Sequence, residues 1–461
     1  MIAAEATAPV ELRWDRGTLL LESGMPDAAL ERLPGVLWDP RVERFRAPAH
    51  RRSELLAALH AAGRRCEDLT RPACPAPHPW QAPALRPYQA GAVAAWEAAG
   101  RRGLVVLPTG AGKTRVAMAA MAASGARTLC VVPTRVLLEQ WVRALAEHFP
   151  GEIGRYGDGQ RDERPLTVAT TASALIHAER LGQRFDLLVI DEAHHFGGGA
   201  GDEILEMSLA PARLGLTATP PAAPERLLRL DALVGPVVYE AAIDDLAGRW
   251  LAPYQVETLR LPLSEGERQA YARERGAFEA FHRVFVRQDP GASWQEFLVA
   301  AARSAEGRRA VRGWHRSREL VAFTAAKQRA LDRLLAAHAR TRLLVFTPDN
   351  ATAYRVARRH LLIPLTCHAH RDERDEALRR FAAGDLCALV SSQVLNEGLD
   401  VPAAEVAILV GGRGGDREFL QRVGRVLRPA EGKQARILLL VSADTYEEGQ
   451  AERRRGWLAA G

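Results

Sequence analysis

Short apolar runs alternating with amphipathic helical stretches dominate the chain from about residue 85 onward. GLVVLP, TLCVVP, LTVATT, FDLLVID and RLGLTATP form the first series. Each is too short for a helix and too continuously apolar for a half-exposed strand, so the pattern predicts buried strands of a parallel sheet with helices on both faces. A second series, RLLVFT, LCALVSS, EVAILVG and RILLLVS, begins near residue 341, divided by the helical stretches NATAYRVARRHLL and RDERDEALRRFAAG. Two α/β domains follow. Residues 264–325 between them read as helical and arginine-rich, with Trp294, Phe297 and Trp314 and no strand pattern. Trp294, Phe297 and Leu298 follow i, i+3, i+4 spacing, which more often builds the core of a small helical unit than a base-stacking surface. Ahead of all this, residues 1–65 read as a small unit with strand-like TLLLES and GVLWD and a helix through SELLAALHAAG. The stretch RPACPAPHPWQAP then reads as an extended linker.

The 461 residues suit about three domains, and 47% hydrophobic with 26% charged residues excludes disorder over most of the chain. A net charge of +6 admits nucleic acid without demonstrating it. Lysine occurs only at Lys113, Lys327 and Lys433, so each one asks why arginine does not serve there. The five cysteines form no CxxC pair, and an odd number argues against a disulfide framework. With no basic-then-apolar start and no run of 18 apolar residues, the expectation is a soluble, cytoplasmic protein without a membrane partner.

The segment LVVLPTGAGKT runs from a strand through a glycine-rich turn into a helix. There, backbone N–H groups at the positive helix terminus can wrap phosphate oxygens. Thr109, Gly110, Ala111 and Gly112 form the turn, Lys113 is placed to neutralise the β and γ phosphates of ATP, and Thr114 to hold Mg2+. Leu107 stands where the strict pattern has glycine. FDLLVIDEAHH sets Asp191 at the carboxyl end of an apolar strand, where ligands sit in open α/β sheets. Asp191 is the second metal candidate and Glu192 the residue to orient the attacking water, positioning being the main demand of phosphoryl transfer. His194 and His195 are not read as metal ligands, since adjacent histidines project differently, and CHAH at Cys367 to His370 is read as a loop. In QRVGRVLRP, Gln421, Arg425 and Arg428 share one helix face, and an arginine reaching a γ phosphate is worth about 10³ to 10⁵ in rate.

In order along residues 85–429, LRPYQ, PTGAGKT, PTR, VATT, DEAHH, LTATP, LVFT, SSQVLNEGLDVP and QRVGRVLRP resemble the helicases of superfamily two. DEAHH followed by RLGLTATP, the segment LAGRWLAPYQVETLRLPLSEGER and the ending GGRGGDREFLQRVGRVLRP narrow the likeness. They resemble the prokaryotic form of the XPB family of DNA repair and transcription helicases. The resemblance implies an α/β fold of two RecA-like parallel-sheet domains with a small N-terminal α/β domain and a helical thumb insertion. Its divisions are 1–65, damage-recognition-like; 66–84, Pro-rich linker; 85–255, first RecA-like domain; 256–330, linker strand and thumb-like insertion; 331–461, second RecA-like domain. It also implies ATP and Mg2+ as cofactors, DNA as partner, three-prime to five-prime movement, a structure-specific nuclease partner and a monomeric motor.

Residue roles implied by the same resemblance place Arg86 and Gln89 at the adenine, and Gly398 and Asp400 at the nucleotide from the second domain. Thr134, Arg135, Thr170 and Thr171 would hold the DNA backbone in the first domain, and Thr347, Ser392 and Gln393 in the second. Thr217 and Thr219 would link nucleotide state to strand grip. The family's Arg-Glu-Asp triplet is replaced here by Ala222, Ala223 and Pro224, leaving Glu225 and Arg226 as the nearest charged residues. Three functions follow: an ATP-dependent DNA helicase or translocase; an ATP-gated clamp that opens or marks damaged DNA and recruits a nuclease, with weak unwinding; and an RNA-directed motor, separable by comparing DNA and RNA as activators.

Overall fold

A computed structural model describes residues 9–23, 29–71, 79–392, 404–411, 419, 422–424 and 433–460. The chain forms two compact units, Met1–Ala241 and Ala242–Gly461.

The first unit holds two sheets. The smaller runs Leu37–Asp39, Arg44–Pro48, Thr18–Glu22, Val10–Asp15, Cys66–Leu69 in spatial order, antiparallel except for the last pair. Alternate residues Val10 and Leu12, Leu19 and Leu21, Phe45 and Ala47 face inward, as the period of two requires, and pack on Leu55 and Leu59 of the helix Arg52–Ala61. Cys66–Leu69 pairs with Val10–Arg13, so the small domain extends past residue 65 and the expected linker start at 66 is corrected. Leu209 belongs to the same core. Arg71 bonds the Asp186 carboxylate and donates to the Leu209 carbonyl at 2.7 Å, tying the small domain to the segment ahead of strand Ala212–Thr217.

The larger sheet has the order Val237–Glu240, Arg102–Val106, Ala212–Thr217, Leu187–Asp191, Thr128–Val132, Leu166–Thr170, Gly154–Gly157, Gln160–Asp162. All neighbours are parallel except the final hairpin. Every residue of Leu187–Asp191, Thr128–Val132, Leu166–Thr170 and Ala212–Thr217 is buried, which is what covering both faces demands. This order sets the strands leading to Lys113, Thr217 and Asp191 side by side, with their carboxyl ends at one rim.

The second unit holds a parallel sheet ordered Tyr254–Leu261, Ala435–Ser442, Val406–Leu409, Leu343–Phe346, Ala388–Ser391, Ile363–Leu365. Tyr254–Leu261 pairs along its full length with Ala435–Ser442, and the division between units falls after Ala241. The expected boundary at 255/256 is therefore corrected: the strand belongs to the second sheet. The insertion comprises helices Glu265–Gln288, Trp294–Ala302 and Ala305–Ala322. Ser264 with Glu267 and Ser293 with Glu296 form capping boxes that start the first two. Phe278, Phe297 and Ala301 make its core, and the Trp294 and Trp314 rings lie 5.0 Å apart against it.

At the exit from the insertion, Lys327 is fully buried. Its Nζ donates to the Val321 carbonyl at 2.8 Å and to both Glu447 carboxylate oxygens at 2.8 and 2.7 Å. Glu447 also accepts the Ser442 N–H at 2.8 Å. Among the described residues no helix is long and apolar enough to cross a membrane.

Candidate functional site

The glycine-rich turn is braced from the strand and from the preceding helix. Leu107 N–H donates to the Thr217 carbonyl at 3.0 Å, and the Leu107 carbonyl accepts Lys113 Nζ at 3.2 Å. The Leu107 side chain is fully buried, which accounts for its departure from glycine: it fills the core while its backbone makes the turn. Gly112 has φ +80°, and a Cβ there would stand 2.5 Å from Gln89 Nε2, so the position admits only glycine without rearrangement. Gly110 is also left-handed, at φ +88°. Tyr88 Oη at 2.6 Å and Gln89 Nε2 at 2.8 Å both donate to the Ala111 carbonyl, while Gln89 Oε1 accepts the Arg86 N–H at 2.9 Å.

Gln89 is 1% exposed and bonded to protein at both ends of its amide. Both bonds hold the helix Pro87–Ala98 against the phosphate loop, a bracing role that the sequence did not show. Tyr88, its neighbour in LRPYQ, escaped the sequence reading, although an aromatic hydroxyl inside that motif was the available signal.

Lys113 and Thr114 open the helix Lys113–Ser124, where their own N–H groups have no i−4 carbonyl of the helix to bond, while the Arg115 N–H donates to the Gly112 carbonyl at 3.0 Å. On the neighbouring rim Asp191 is buried. Burial pushes its proton affinity up, and the Lys113 charge, the Trp141 indole N–H at 2.8 Å and the Glu192 backbone N–H at 3.0 Å pull it down. Trp141 was not foreseen; it lies fifty positions away and meets Asp191 only through the fold. Glu192 has φ +51° and ψ +49°, a left-handed backbone unusual for a residue with a Cβ and characteristic of strained functional turns. Its Oε2 is 3.4 Å from His194 Nδ1, which lies 3.1 Å from Thr217 Oγ1. Thr217 Oγ1 gives its proton to the Thr219 carbonyl at 2.8 Å, which makes His194 Nδ1 the donor toward Thr217. His194 is thus a connector between DEAHH and LTATP.

Thr134, Arg135, Thr170 and Thr171 come together at the carboxyl ends of the paired strands Thr128–Val132 and Leu166–Thr170. Thr134 caps the helix Arg135–Ala146 by accepting the Leu137 N–H at 3.3 Å, and Thr170 caps Thr171–Ile176 through Ser173 N–H at 3.3 Å. Thr171 Oγ1 donates to the Val132 carbonyl at 3.3 Å. Arg135 is exposed and pairs with Asp158 at 2.5 Å.

In the second unit Thr347 is fully buried, with Oγ1 donating to the Asp349 carbonyl at 3.1 Å and the Ser391 carbonyl at 3.2 Å. In these contacts the hydroxyl organises the loop after its strand. Ser392 bonds Asn350, and its carbonyl accepts Arg422 Nη2 at 3.3 Å. Gln393, Gly398, Asp400, Gln421, Arg425 and Arg428 lie outside the described residues. Arg226 Nη2 donates to the His194 and Phe196 carbonyls at 3.3 Å each.

These residues fit a nucleotide triphosphate with a divalent cation. The Thr109 hydroxyl oxygen is buried with no hydrogen-bond partner among the described residues. The turn has room only for glycine at 112, and a buried carboxylate, Asp191, feels the charge of Lys113 across the rim. Hydroxyl, ammonium, helix terminus and carboxylate are the donor set that phosphate and a hard cation require.

Known proteins place the chain. Residues 12–69 match the xeroderma pigmentosum group B helicase damage recognition domain, 82–222 the type III restriction enzyme res subunit, and 326–430 the helicase conserved C-terminal domain. The "DNA 3'-5' translocase XPB2" of Sulfurisphaera tokodaii is 33% identical over 448 residues, covering 97% of this chain and 100% of that protein. The "DNA 3'-5' helicase XPB" of Kineococcus radiotolerans is 32% identical over 391 residues, covering 82% of this chain and 63% of that longer protein. The crystal structure of the Pyrococcus furiosus Hef helicase domain superimposes with a TM-score of 0.51 at 18% identity, covering 80% of this chain and 98% of that one, a likeness of fold. By the full-length match to the Sulfurisphaera protein and the three matched regions, this chain belongs to the XPB family of superfamily two helicases.

Proposed function

We propose that this chain is an ATP-dependent DNA helicase or translocase that couples ATP hydrolysis to movement on, or opening of, DNA in the three-prime to five-prime sense. The direction is carried over from the names of its XPB relatives. The observation that carries the reading is the buried Asp191 carboxylate, held by Trp141 and within the field of Lys113 on the adjoining phosphate loop.

Lys113 Nζ and the first-turn N–H groups bind and orient the β and γ phosphates, Lys113 giving up its bond to the Leu107 carbonyl as it does so. Thr114 and Asp191 would hold the cation. Bound Mg2+ supplies neutralisation of phosphate charge. The Glu192 carboxylate orients the attacking water and accepts its proton, its left-handed backbone setting the side chain apart from that of Asp191. His194 and Thr217 tie Glu192 to Thr219, so loss of the γ phosphate is felt at LTATP. The rim formed by Thr134, Arg135, Thr170 and Thr171 contacts sugar and phosphate without reading bases, which suits a motor that steps along any sequence.

ATP turnover measured beside strand displacement on a forked duplex tests the reading. DNA-stimulated turnover with displacement is expected of a helicase. Stimulated turnover without displacement supports the translocase or clamp form. Turnover indifferent to DNA overturns the proposal.

A further inference from the structure

Lys327 is fully buried and plays no part in the nucleotide site described above. All three of its N–H groups have acceptors, the Val321 carbonyl and the two Glu447 carboxylate oxygens. Separate segments of the second unit meet there. Val321 lies in the last turn of the helix Ala305–Ala322, Lys327 in the first turn of Ala325–Ala337, and Glu447 in the first turn of the helix Tyr446–Ala460. Ser442, the last residue of its strand, gives its N–H to Glu447 at 2.8 Å and its hydroxyl proton to the Val321 carbonyl at 3.3 Å.

One further segment rests on this pair. Gly411 follows the strand Val406–Leu409 and opens GGRGGDREFLQRVGRVLRP, the stretch that carries Arg425 and Arg428. A Cβ on Gly411 would stand 2.9 Å from the Ala322 carbonyl oxygen and 3.3 Å from both Lys327 Nζ and Glu447 Oε1, so its backbone lies against the ion pair. Eight positions on, the buried Phe419 ring packs against Arg454, whose Cζ is 5.2 Å from the ring centroid. Glu447 and Arg454 are seven positions apart on one helix, two turns, and so share a face. That face meets the arginine-bearing stretch twice ahead of Arg425.

We infer that Lys327, Glu447 and Arg454 are positioning residues for ATP turnover: they make the helix Tyr446–Ala460 a brace that fixes the stretch carrying Arg425 and Arg428. The inference rests on the ATP-hydrolysing reading above and on the expectation that these two arginines reach a γ phosphate. A buried ion pair contributes little net stability, but its directional bonds specify one geometry where apolar contacts admit several. An arginine that stabilises a transition state needs such a fixed approach, because a displacement of about 1 Å can cost roughly 100-fold in rate. The brace also joins the end of the insertion to the same stretch, through the Val321 and Ala322 carbonyls.

The test measures kcat and KM for ATP with saturating single-stranded DNA in the full chain and in three variants. Lys327→Met/Glu447→Leu replaces the pair by apolar groups, and Gly411→Ala presses on the stretch without touching the pair. Phe381→Leu, buried in the helix Arg371–Ala383, is the control for general destabilisation, and thermal unfolding compares all three. The first two are expected to lose about 10- to 100-fold in kcat, with KM within about threefold of wild type, as for an interaction made only in the transition state. The control is expected to keep its kcat. On an Arg425→Gln background the pair variant is expected to add less than about twofold, since residues that act through one group are not additive. Unchanged kcat in the pair variant and in Gly411→Ala overturns the proposal, as does a comparable loss in Phe381→Leu or a full further loss on the Arg425→Gln background. Wild-type turnover in Arg425→Gln removes the group to be positioned and overturns it too. Absent ATP turnover in the wild-type chain contradicts the hydrolysis reading itself, an outcome distinct from failure of the brace.

Discussion

The indole N–H of Trp141 donates to Oδ2 of Asp191 over 2.8 Å, with both side chains buried. Trp141 lies on the helix Arg135–Ala146, which Thr134 caps, so the element that starts at the proposed strand-binding rim also steadies the proposed metal carboxylate. Trp141→Phe keeps the ring and deletes the donor. Supporting partners of this kind are typically worth 10- to 100-fold in metal affinity. The magnesium concentration giving half-maximal ATP turnover is predicted to rise by about 10-fold, with ATP affinity at saturating magnesium retained. An unaltered magnesium titration contradicts the assignment.

Gln89 gives a prediction that separates bracing from base reading. Its amide bonds Arg86 and Ala111, so Gln89→Ala removes both bonds, loosens the phosphate loop and weakens ATP and GTP alike, by roughly 30-fold for two hydrogen bonds of about 1 kcal/mol each. Nucleotide binding measured with both checks it. A selective loss of ATP discrimination would show that Gln89 reads adenine instead.

His50 makes the first unit sensitive to acid. Burial, together with the nearby charge of Arg213, Arg51 and Arg102, lowers its pKa to about 4 from an ordinary 6.5, against a raising contribution from the Glu206 carbonyl 3.4 Å away. Arg213 is itself wholly buried and held by the Leu205, Ser208, Ala210 and Leu233 carbonyls. Because the folded pKa is depressed, the contribution of His50 is complete above pH 6.5. It is lost progressively toward pH 4, as the unfolded imidazole takes a proton that the folded one refuses. Thermal unfolding across that window is predicted to show a falling midpoint that His50→Gln flattens. A wild-type midpoint independent of pH there contradicts it.

Much of the nucleotide half of the site was legible because its chemistry is local. A strand, a glycine turn and a lysine follow one another in LVVLPTGAGKT, and the order of apolar runs gave both parallel sheets. What the sequence concealed depends on packing between distant segments. Nothing near Trp141 announces Asp191. Thr347 sits in a motif that suggests a strand contact, and its one hydroxyl proton is shared between two carbonyls that only the neighbouring strand and the next loop bring near. The short strands Arg44–Pro48 and Cys66–Leu69 carry charged residues on their outer faces, which diluted the apolar signal that TLLLES kept. The rarity of lysine did carry information: Lys327 meets three oxygens at one point, and a Cβ on Gly411 would stand 3.3 Å from its Nζ, leaving little space for a guanidinium.

That pair supplies a stability prediction. Breaking one partner of a buried ion pair typically costs about 3–5 kcal/mol, whereas replacing both by apolar groups is often close to neutral. Lys327→Met is therefore predicted to destabilise the second unit by about 3–5 kcal/mol, and Lys327→Met/Glu447→Leu to recover more than half of the loss. Urea unfolding of the three proteins checks this. Equal stability of single and double variants contradicts the account of Glu447 as an uncompensated buried charge.

The central claim, that the phosphate loop and the Asp191–Glu192 rim together hydrolyse ATP in response to DNA, is tested most directly by ATP turnover with and without single-stranded DNA in the wild-type chain and in Lys113→Ala. The account predicts DNA-stimulated turnover in the wild type and a fall of at least about 100-fold in the variant, the scale of losing one preorganised charge-stabilising donor. Wild-type, DNA-stimulated rates in Lys113→Ala would contradict it.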